Sequence, residues 1–246
     1  METLTRVDAA PASALGVIVP HGSYRHAGAI VGSTLARVAI PRRCVVVGAS
    51  HTGSWMPWSL MDHGACRTPL GDVPVDEPFA AALRARCPFL STDDWTQRGE
   101  HAIEVLLPFL QRLGPSDLAV VPLVVSADDR QELVQCAEAL AQVVRMHEEP
   151  VLLIASSDLS HYEPHARAAA CDRALIGAAC RLDSDGFIRH VHDEAVLMCG
   201  VGAVACVLDA ASALGARRGD LVKYGTSAEA GGDRDSVIGY AGIVIR

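Results

Sequence analysis

Short apolar runs rich in β-branched residues alternate along the chain with longer Ala- and Leu-rich segments of helical periodicity. This alternation is typical of βαβ units around a mostly parallel sheet. The pattern predicts strands at 15–20, 43–48, 118–125, 150–156, 221–225 and 237–245. It predicts helices at 27–39, 76–86, 101–112, 128–146, 165–181 and 199–214. We therefore expect an α/β fold: a single-domain sandwich over residues 1–246, with helices flanking a central, mostly parallel sheet.

One long segment, from Thr52 to Pro74, interrupts this alternation. It is rich in Trp, Pro and Gly and has only weak periodicity, which favours an ordered loop or a hairpin over one end of the sheet. A clearer boundary follows it, because Asp76 precedes Glu77 and Pro78 as an acidic cap precedes the first turn of a helix.

The composition narrows the classes of partner. The net charge is -8, and no run of Lys or Arg is longer than a pair, which argues against nucleic acid. No stretch approaches the roughly 18 consecutive apolar residues of a membrane helix. Most of the eight cysteines lie in apolar segments, which is typical of reduced thiols in a cytoplasmic protein. We expect a cytoplasmic protein that binds neither nucleic acid nor membrane; homo-oligomerisation is left open.

Three histidines follow predicted strands at the point where each strand ends. His21 comes after the run at 15–20, His51 follows 43–48 and His161 lies beyond 150–156. Because ligands of open α/β sheets bind outside the carboxyl ends of the strands, these side chains are expected to meet in one crevice. The pattern indicates a metal site or an acid/base site.

Asp158 lies three residues before His161 in the segment SSDLSH. A carboxylate at this spacing could orient the imidazole and raise its basicity, as a general acid/base requires. The alternative is that Asp158 caps the following turn and His161 is a polar loop residue.

Cys199 differs from the other cysteines because it begins the predicted helix 199–214. A helix N-terminus stabilises an anion, so this thiol should ionise more readily and act as a better ligand or nucleophile.

His101 and Glu104 share one face of the predicted helix 101–112. They are candidates for an outer-shell or substrate-side role.

Six short motifs occur in a characteristic order: PHGSY (20–24), GASHT (48–52), RTPLGD (67–72), EHAIEVLLP (100–108), SSDLSH (156–161) and CG (199–200). Together they resemble the Memo family, whose bacterial members are called AmmeMemoRadiSam system protein B. The resemblance covers nearly the whole chain. It implies the α/β sandwich of the class III extradiol dioxygenases, in which two histidines and a carboxylate hold iron(II).

The resemblance also implies roles for individual residues. His21 and His51 match the two imidazole ligands, and Cys199 stands where the dioxygenases have a carboxylate. His161 matches the acid/base histidine beside the metal, with Asp158 near it.

Two imidazoles and a thiolate on one side of a metal leave positions open for a substrate and dioxygen. We therefore expect a metal-dependent oxidoreductase, a dioxygenase-like non-haem iron(II) enzyme that acts on a small organic substrate. Copper is the second choice, because soft sulfur favours Cu(I), and zinc is the third. The alternatives are a non-catalytic metal- or phosphopeptide-binding protein, which the resemblance also implies, and a zinc-dependent hydrolase.

Overall fold

The computed structural model describes residues 10–53 and 56–246. In chain order the strands are β1 (Gly16–Val19), β2 (Arg43–Ala49), β3 (Trp58–Leu60), β4 (Ala65–Thr68), β5 (Gly71–Pro74), β6 (Ala119–Val125), β7 (Val151–Ser156), β8 (His161–Glu163), β9 (Gly219–Thr226) and β10 (Val237–Ile245). The helices are α1 (Gly28–Leu35), α2 (Glu77–Arg84), α3 (Asp94–Gln97), α4 (His101–Glu104), α5 (Leu107–Leu113), α6 (Arg130–Arg145), α7 (His165–Cys180), α8 (Ser184–Asp193) and α9 (Val201–Ala213).

The main sheet has the strand order β3-β6-β2-β7-β1-β10-β8, and β9 pairs with β10. Its four central strands, β6, β2, β7 and β1, run parallel, while β3 and β10 extend the sheet by antiparallel pairing. Every residue of the four central strands is buried, as expected when helices cover both faces. The predicted α/β sandwich with a mostly parallel sheet is confirmed.

The side chains of the central strands alternate between two apolar clusters. In β2, Val45 and Val47 face the cluster that includes residues of α2, α6, α7, α8 and α9. Cys44 and Val46 face the opposite cluster, with α1 and α5. Because the four strands are parallel, their carboxyl ends lie at one edge of the sheet, and the segments that follow them meet there.

The predicted helix 101–112 is wrong as one element, because the structure divides it into α4 and α5. Pro108 has no backbone N–H and therefore cannot donate the helical hydrogen bond to the carbonyl of Glu104. Proline is instead tolerated in the first turn of a new helix, which is its position in α5. The break leaves His101 in a short helix at the carboxyl edge of the sheet.

The segment 52–74, apart from residues 54–55 outside the described part, contains a hairpin and one further strand. The β4–β5 hairpin is confirmed, and Thr68 of β4 donates a hydrogen bond to Gln111 of α5. The sequence did not predict β3, which pairs with β6. Within the described residues, no helix combines the length and apolar character needed to cross a membrane.

Candidate metal centre

Three imidazoles meet at the carboxyl edge of the parallel strands. His21 lies two residues beyond β1, and His51 lies two residues beyond β2; their ring centroids are 5.0 Å apart. His101, the first residue of α4, approaches both rings, with centroid distances of 5.3 Å to His21 and 4.3 Å to His51. One potential ligand atom from each residue lies within 4.8 Å of the other two. This spacing makes the cluster a candidate metal centre.

Cys199 adds a sulfur to this cluster. It lies directly before Gly200, the N-cap of α9, and its Sγ is 3.2 Å from His21 Nε2. The position depends on a glycine, because a β-carbon on Gly200 would lie 2.4 Å from the Cβ of Ser157. The structure therefore brings the three predicted ligands, His21, His51 and Cys199, to one place and adds His101 to them.

Hydrogen bonds fix the tautomer of His21. The Ser156 hydroxyl donates to the backbone carbonyl of Ala102, so its oxygen accepts the hydrogen bond from His21 Nδ1, at 3.0 Å. This assignment follows from the hydrogen-bond network. Because Nδ1 is bound to Ser156, Nε2 is the ring atom that faces the centre, where it can bind a metal or, in the metal-free centre, hydrogen-bond to Cys199.

Glu100 fixes the orientation of the His51 ring in a similar way. Its Oε1 accepts from His51 Nδ1 at 2.8 Å, and its Oε2 accepts from the backbone N–H of His51 at 2.5 Å. The carboxylate also caps α4 by accepting from the backbone N–H of Ala102. A carboxylate behind a metal-binding histidine orients the ring and raises its basicity. His51 therefore also presents Nε2 to the centre.

The metal-free centre carries a paired charge. Burial opposes ionisation of Cys199, but hydrogen bonds from His21 and His51 outweigh it and lower the pKa of the thiol to about 6. Hydrogen bonds to Cys199 and Glu100 raise the pKa of His51 to about 10. The thiolate is therefore available at neutral pH, as metal ligation by sulfur requires.

His101 differs electrostatically from the other two histidines. Burial and the positive charges of His51 and His21 lower its pKa, so its ring is neutral at pH 7 and can donate a lone pair. The sequence suggested an outer-shell role for His101, whereas its ring lies among the candidate donors. Glu104 lies one turn further along α4 and lines an apolar pocket of about 350 Å³ with Tyr24, away from the histidine cluster.

No hydrogen bond joins Asp158 to His161 among the described residues, and the hydrogen bonds that each one makes go to other partners. Asp158 Oδ1 accepts from the backbone N–H groups of His21 and Gly22, at 2.9 and 3.1 Å. The His161 ring donates from Nδ1 to the carbonyl of Leu159 at 2.8 Å. Asp158 therefore fixes the backbone that carries His21. Among the described residues, no hydrogen bond or ring contact joins His161 to the three-histidine cluster, so its acid/base role stays a prediction.

Sequence reasoning missed Glu100 and Ser156, which hold the two histidine rings. Both are polar residues beside residues that were singled out, since Glu100 precedes His101 and Ser156 opens the SSDLSH motif. Their burial is the informative property, because fully buried polar groups need partners. That property becomes visible only with the fold.

The fold and this cluster define an α/β protein with a candidate His- and Cys-lined metal centre at the carboxyl ends of parallel strands. A family model described as Memo-like protein matches residues 1–244, and the chain belongs to this family.

Curated relatives cover most of the chain. A MEMO1 family protein of Methanopyrus kandleri is 39% identical over 239 residues, covering 96% of this chain and 84% of the relative. One from Methanococcoides burtonii is 35% identical over 232 residues, covering 94% and 86%. Among solved structures, an uncharacterized protein of Escherichia coli K12 is 14% identical with a TM-score of 0.61, covering 94% of this chain and 99% of that one. This last likeness extends to the fold alone.

Proposed function

We propose that the protein is a metal-dependent oxidoreductase, a dioxygenase-like enzyme that uses iron(II) on a small organic substrate. The observation that carries this proposal is the cluster of imidazoles with one low-pKa thiol at the carboxyl edge of the sheet. An oxygenase of this type needs a few anchored donors and vacant positions beside them.

The donor set fits a single metal ion. Two ligands of one ion at about 2.0 to 2.3 Å lie roughly 3 to 4 Å apart. The 3.2 Å between Cys199 Sγ and His21 Nε2 falls in this range. His21, His51 and Cys199 would hold the ion, because Ser156 and Glu100 already direct both imidazoles with Nε2 inward. The bound iron(II) would supply the electrons that activate dioxygen.

The chain's own groups would bind the substrate and move its proton. A cavity of about 200 Å³ opens beside Cys199, lined by Val125, Ser126, Leu133, Ile188 and Met198 among others, and offers space for a small organic molecule. His161 carries its proton on Nδ1, so Nε2 can accept the proton of a substrate hydroxyl. Asp158 would keep His21 in place during this step.

A zinc-dependent hydrolase is the second candidate, and the third imidazole favours it. Three histidines and a water are the ligands of one class of catalytic zinc sites. His101 is neutral at pH 7 and lies within 4.8 Å of the other donors, so His21, His51 and His101 could form this set without Cys199.

Metal analysis of the anaerobically purified protein and of two variants separates the candidates. For the oxygenase we expect stoichiometric iron, which Cys199→Ala loses and His101→Ala retains. For the hydrolase we expect stoichiometric zinc, which His101→Ala loses and Cys199→Ala retains. His63→Ala, which changes an exposed ring beside Asp62, serves as the control that leaves metal content unchanged.

Oxygen uptake then tests turnover. An oxygen electrode with a panel of catechols and aminophenols should record uptake by the iron-loaded protein and none by Cys199→Ala. Stoichiometric iron without uptake across the panel would contradict this substrate class, and a protein that binds no metal would contradict both candidates.

A further inference from the structure

Tyr240 in β10 is a buried tyrosine whose hydroxyl has no hydrogen-bond partner among the described residues. Its side chain is 2% exposed. Two tyrosines that are more exposed are paired: Tyr24 donates to the carbonyl of Val105 at 3.0 Å, and the half-buried Tyr224 donates to Asp172 at 2.8 Å. The Tyr240 hydroxyl is not one of the fully buried unpartnered atoms, so the small exposed part of this residue includes the hydroxyl, which faces open space.

The Tyr240 hydroxyl lies at the backbone of the candidate metal centre. The ring packs on the backbone of Gly22, the residue after His21; a β-carbon there would lie 2.8 Å from Cε1 and 3.1 Å from Oη of Tyr240. The apolar part of the ring packs against Ala27 and Ile30 of the α1 region. Those contacts explain the burial of the ring, but they leave the hydroxyl at the backbone of the candidate metal centre.

An acceptor without a partner lies nearby. Asp158 uses Oδ1 for the N–H groups of His21 and Gly22, while Oδ2 has no hydrogen-bond partner in the part of the chain that the structure describes. Tyr240 and Asp158 lie close together because both contact Gly22, the ring at the position of its missing β-carbon and the carboxylate at its backbone N–H. Burial and the charge of Asp158 both raise the pKa of Tyr240. A donor and an acceptor that both lack partners match the two sides of a hydroxyl or of a water molecule.

We propose that Tyr240 is a ligand-contacting residue of the metal centre, whose hydroxyl donates a hydrogen bond to an oxygen of the molecule bound there, with Asp158 Oδ2 as the acceptor on the same side. The inference rests on the proposed function in requiring an oxygen-bearing ligand at the metal. It adds a contact that discriminates ligands with a suitably placed oxygen from those without one.

The test uses Tyr240→Phe, which removes the hydroxyl and keeps the ring. The probe is acetohydroxamate, which chelates iron and zinc through two oxygens and requires no turnover. Calorimetric titration of the metal-loaded protein should show probe affinity about 2- to 12-fold weaker in the variant, the range for losing one hydrogen bond of 0.5–1.5 kcal/mol. Metal content should be unchanged, because Tyr240 supplies no ligand.

Tyr224→Phe is the matched control, because its hydroxyl already bonds Asp172 and should leave probe affinity unchanged. Equal probe affinity in Tyr240→Phe and the parent protein would overturn the proposal while leaving the proposed function intact. Loss of metal from Tyr240→Phe would also overturn it, since the residue would then act on the structure of the centre. If the metal-loaded parent protein binds no probe, the centre has no open positions, and both this proposal and the proposed function fail.

Discussion

Glu100 holds His51 through both of its carboxylate oxygens, one on the ring Nδ1 at 2.8 Å and one on the backbone N–H at 2.5 Å. The same carboxylate caps α4 through Ala102, and α4 begins with His101. Burial works against the charge of Glu100, but the hydrogen bonds from His51 and Ala102 keep its pKa below the usual value. One buried anion therefore positions two of the three imidazoles.

This relationship predicts the effect of Glu100→Gln on metal affinity. The amide oxygen of glutamine can still accept a hydrogen bond, but the substitution removes the negative charge that raises the basicity of His51. Loss of such an outer partner lowers metal affinity about 10- to 100-fold, which competition with a chromogenic chelator would measure. Glu104→Gln, which changes a carboxylate of the same helix away from the cluster, should leave the affinity unchanged.

The thiol of Cys199 should react with iodoacetamide at lower pH than an ordinary cysteine. The thiolate is the reactive form, and it gains population as pH rises through about 6, compared with 9.0 for an unperturbed thiol. In metal-free protein we expect the labelling rate of the fastest-reacting cysteine to rise to half of its plateau value near pH 6. Mass spectrometry of the labelled peptide would measure this rate.

Two controls assign that reaction. Cys199→Ala should lack the fast phase, because burial raises the pKa of Cys44 and Cys66. The hydrogen bond with Cys136 lowers the pKa of Cys87, but this thiol is fully buried and closed to the reagent. Bound metal should slow labelling of Cys199 if the sulfur is a ligand; a rate that is independent of metal would remove Cys199 from the ligand set.

The convergence of His21 and His51 could be predicted from the sequence because it depends on one general rule. Both follow apolar runs that become strands of one parallel sheet, β1 and β2 on either side of β7, and the carboxyl ends of parallel strands share an edge. Cys199 entered the site mainly through the family resemblance, because its approach to His21 depends on how closely Gly200 packs against Ser157.

The partners of Asp158 could not be predicted in this way. Spacing along the chain pointed to His161, three residues away, but Asp158 accepts from the backbone of His21, 137 positions earlier. Backbone N–H groups carry no sequence signal, since every residue except proline has one. The role of Glu100 stayed hidden for a related reason, because its pairing with His51 spans 49 positions.

Gly200→Ala should displace Cys199 and weaken metal binding. The new β-carbon would lie 2.4 Å from the Cβ of Ser157, a distance that forces the backbone before α9 to move. Gly177→Ala is the control: the nearest atom to its β-carbon is the terminal Nη1 of Arg181 at 3.4 Å, so alanine should stabilise α7 by about 0.5–1 kcal/mol. If Gly200→Ala binds metal as tightly as the parent protein, then metal binding does not depend on the position of the Cys199 sulfur.

Asp76→Ala should destabilise the whole protein without acting on the metal centre. Asp76 pairs with Arg43 at 2.5 Å, both side chains are buried, and it also caps α2 by accepting from the N–H of Phe79. Removing one member of a buried pair costs about 3–5 kcal/mol. Arg43 would be left with the exposed carboxylate of Glu149, at 4.0 Å. Urea unfolding would measure this loss. Arg43 opens β2, at the opposite end of the strand from His51, so metal affinity of the folded fraction should stay the same.

Because Asp158 and His161 have different partners, removing Asp158 should lower metal affinity, whereas removing His161 should lower turnover. Asp158→Ala takes the acceptor away from two backbone N–H groups, at His21 and Gly22, and should loosen His21 and lower metal affinity. His161→Ala should leave metal content intact, because the ring contacts Leu159 and Tyr162 instead of the cluster. If His161 Nε2 accepts the substrate proton, turnover should fall by roughly 10² to 10⁴.

Metal titrations and oxygen uptake on the same two preparations separate these effects. Asp158→Asn is the informative companion, since its amide oxygen can accept the same two hydrogen bonds and should recover much of the metal affinity lost in Asp158→Ala. Metal loss in His161→Ala would make that ring a ligand and break the set of His21, His51 and Cys199. Unchanged turnover in His161→Ala would instead remove the proton acceptor from the mechanism, and another group beside the centre would have to take the proton.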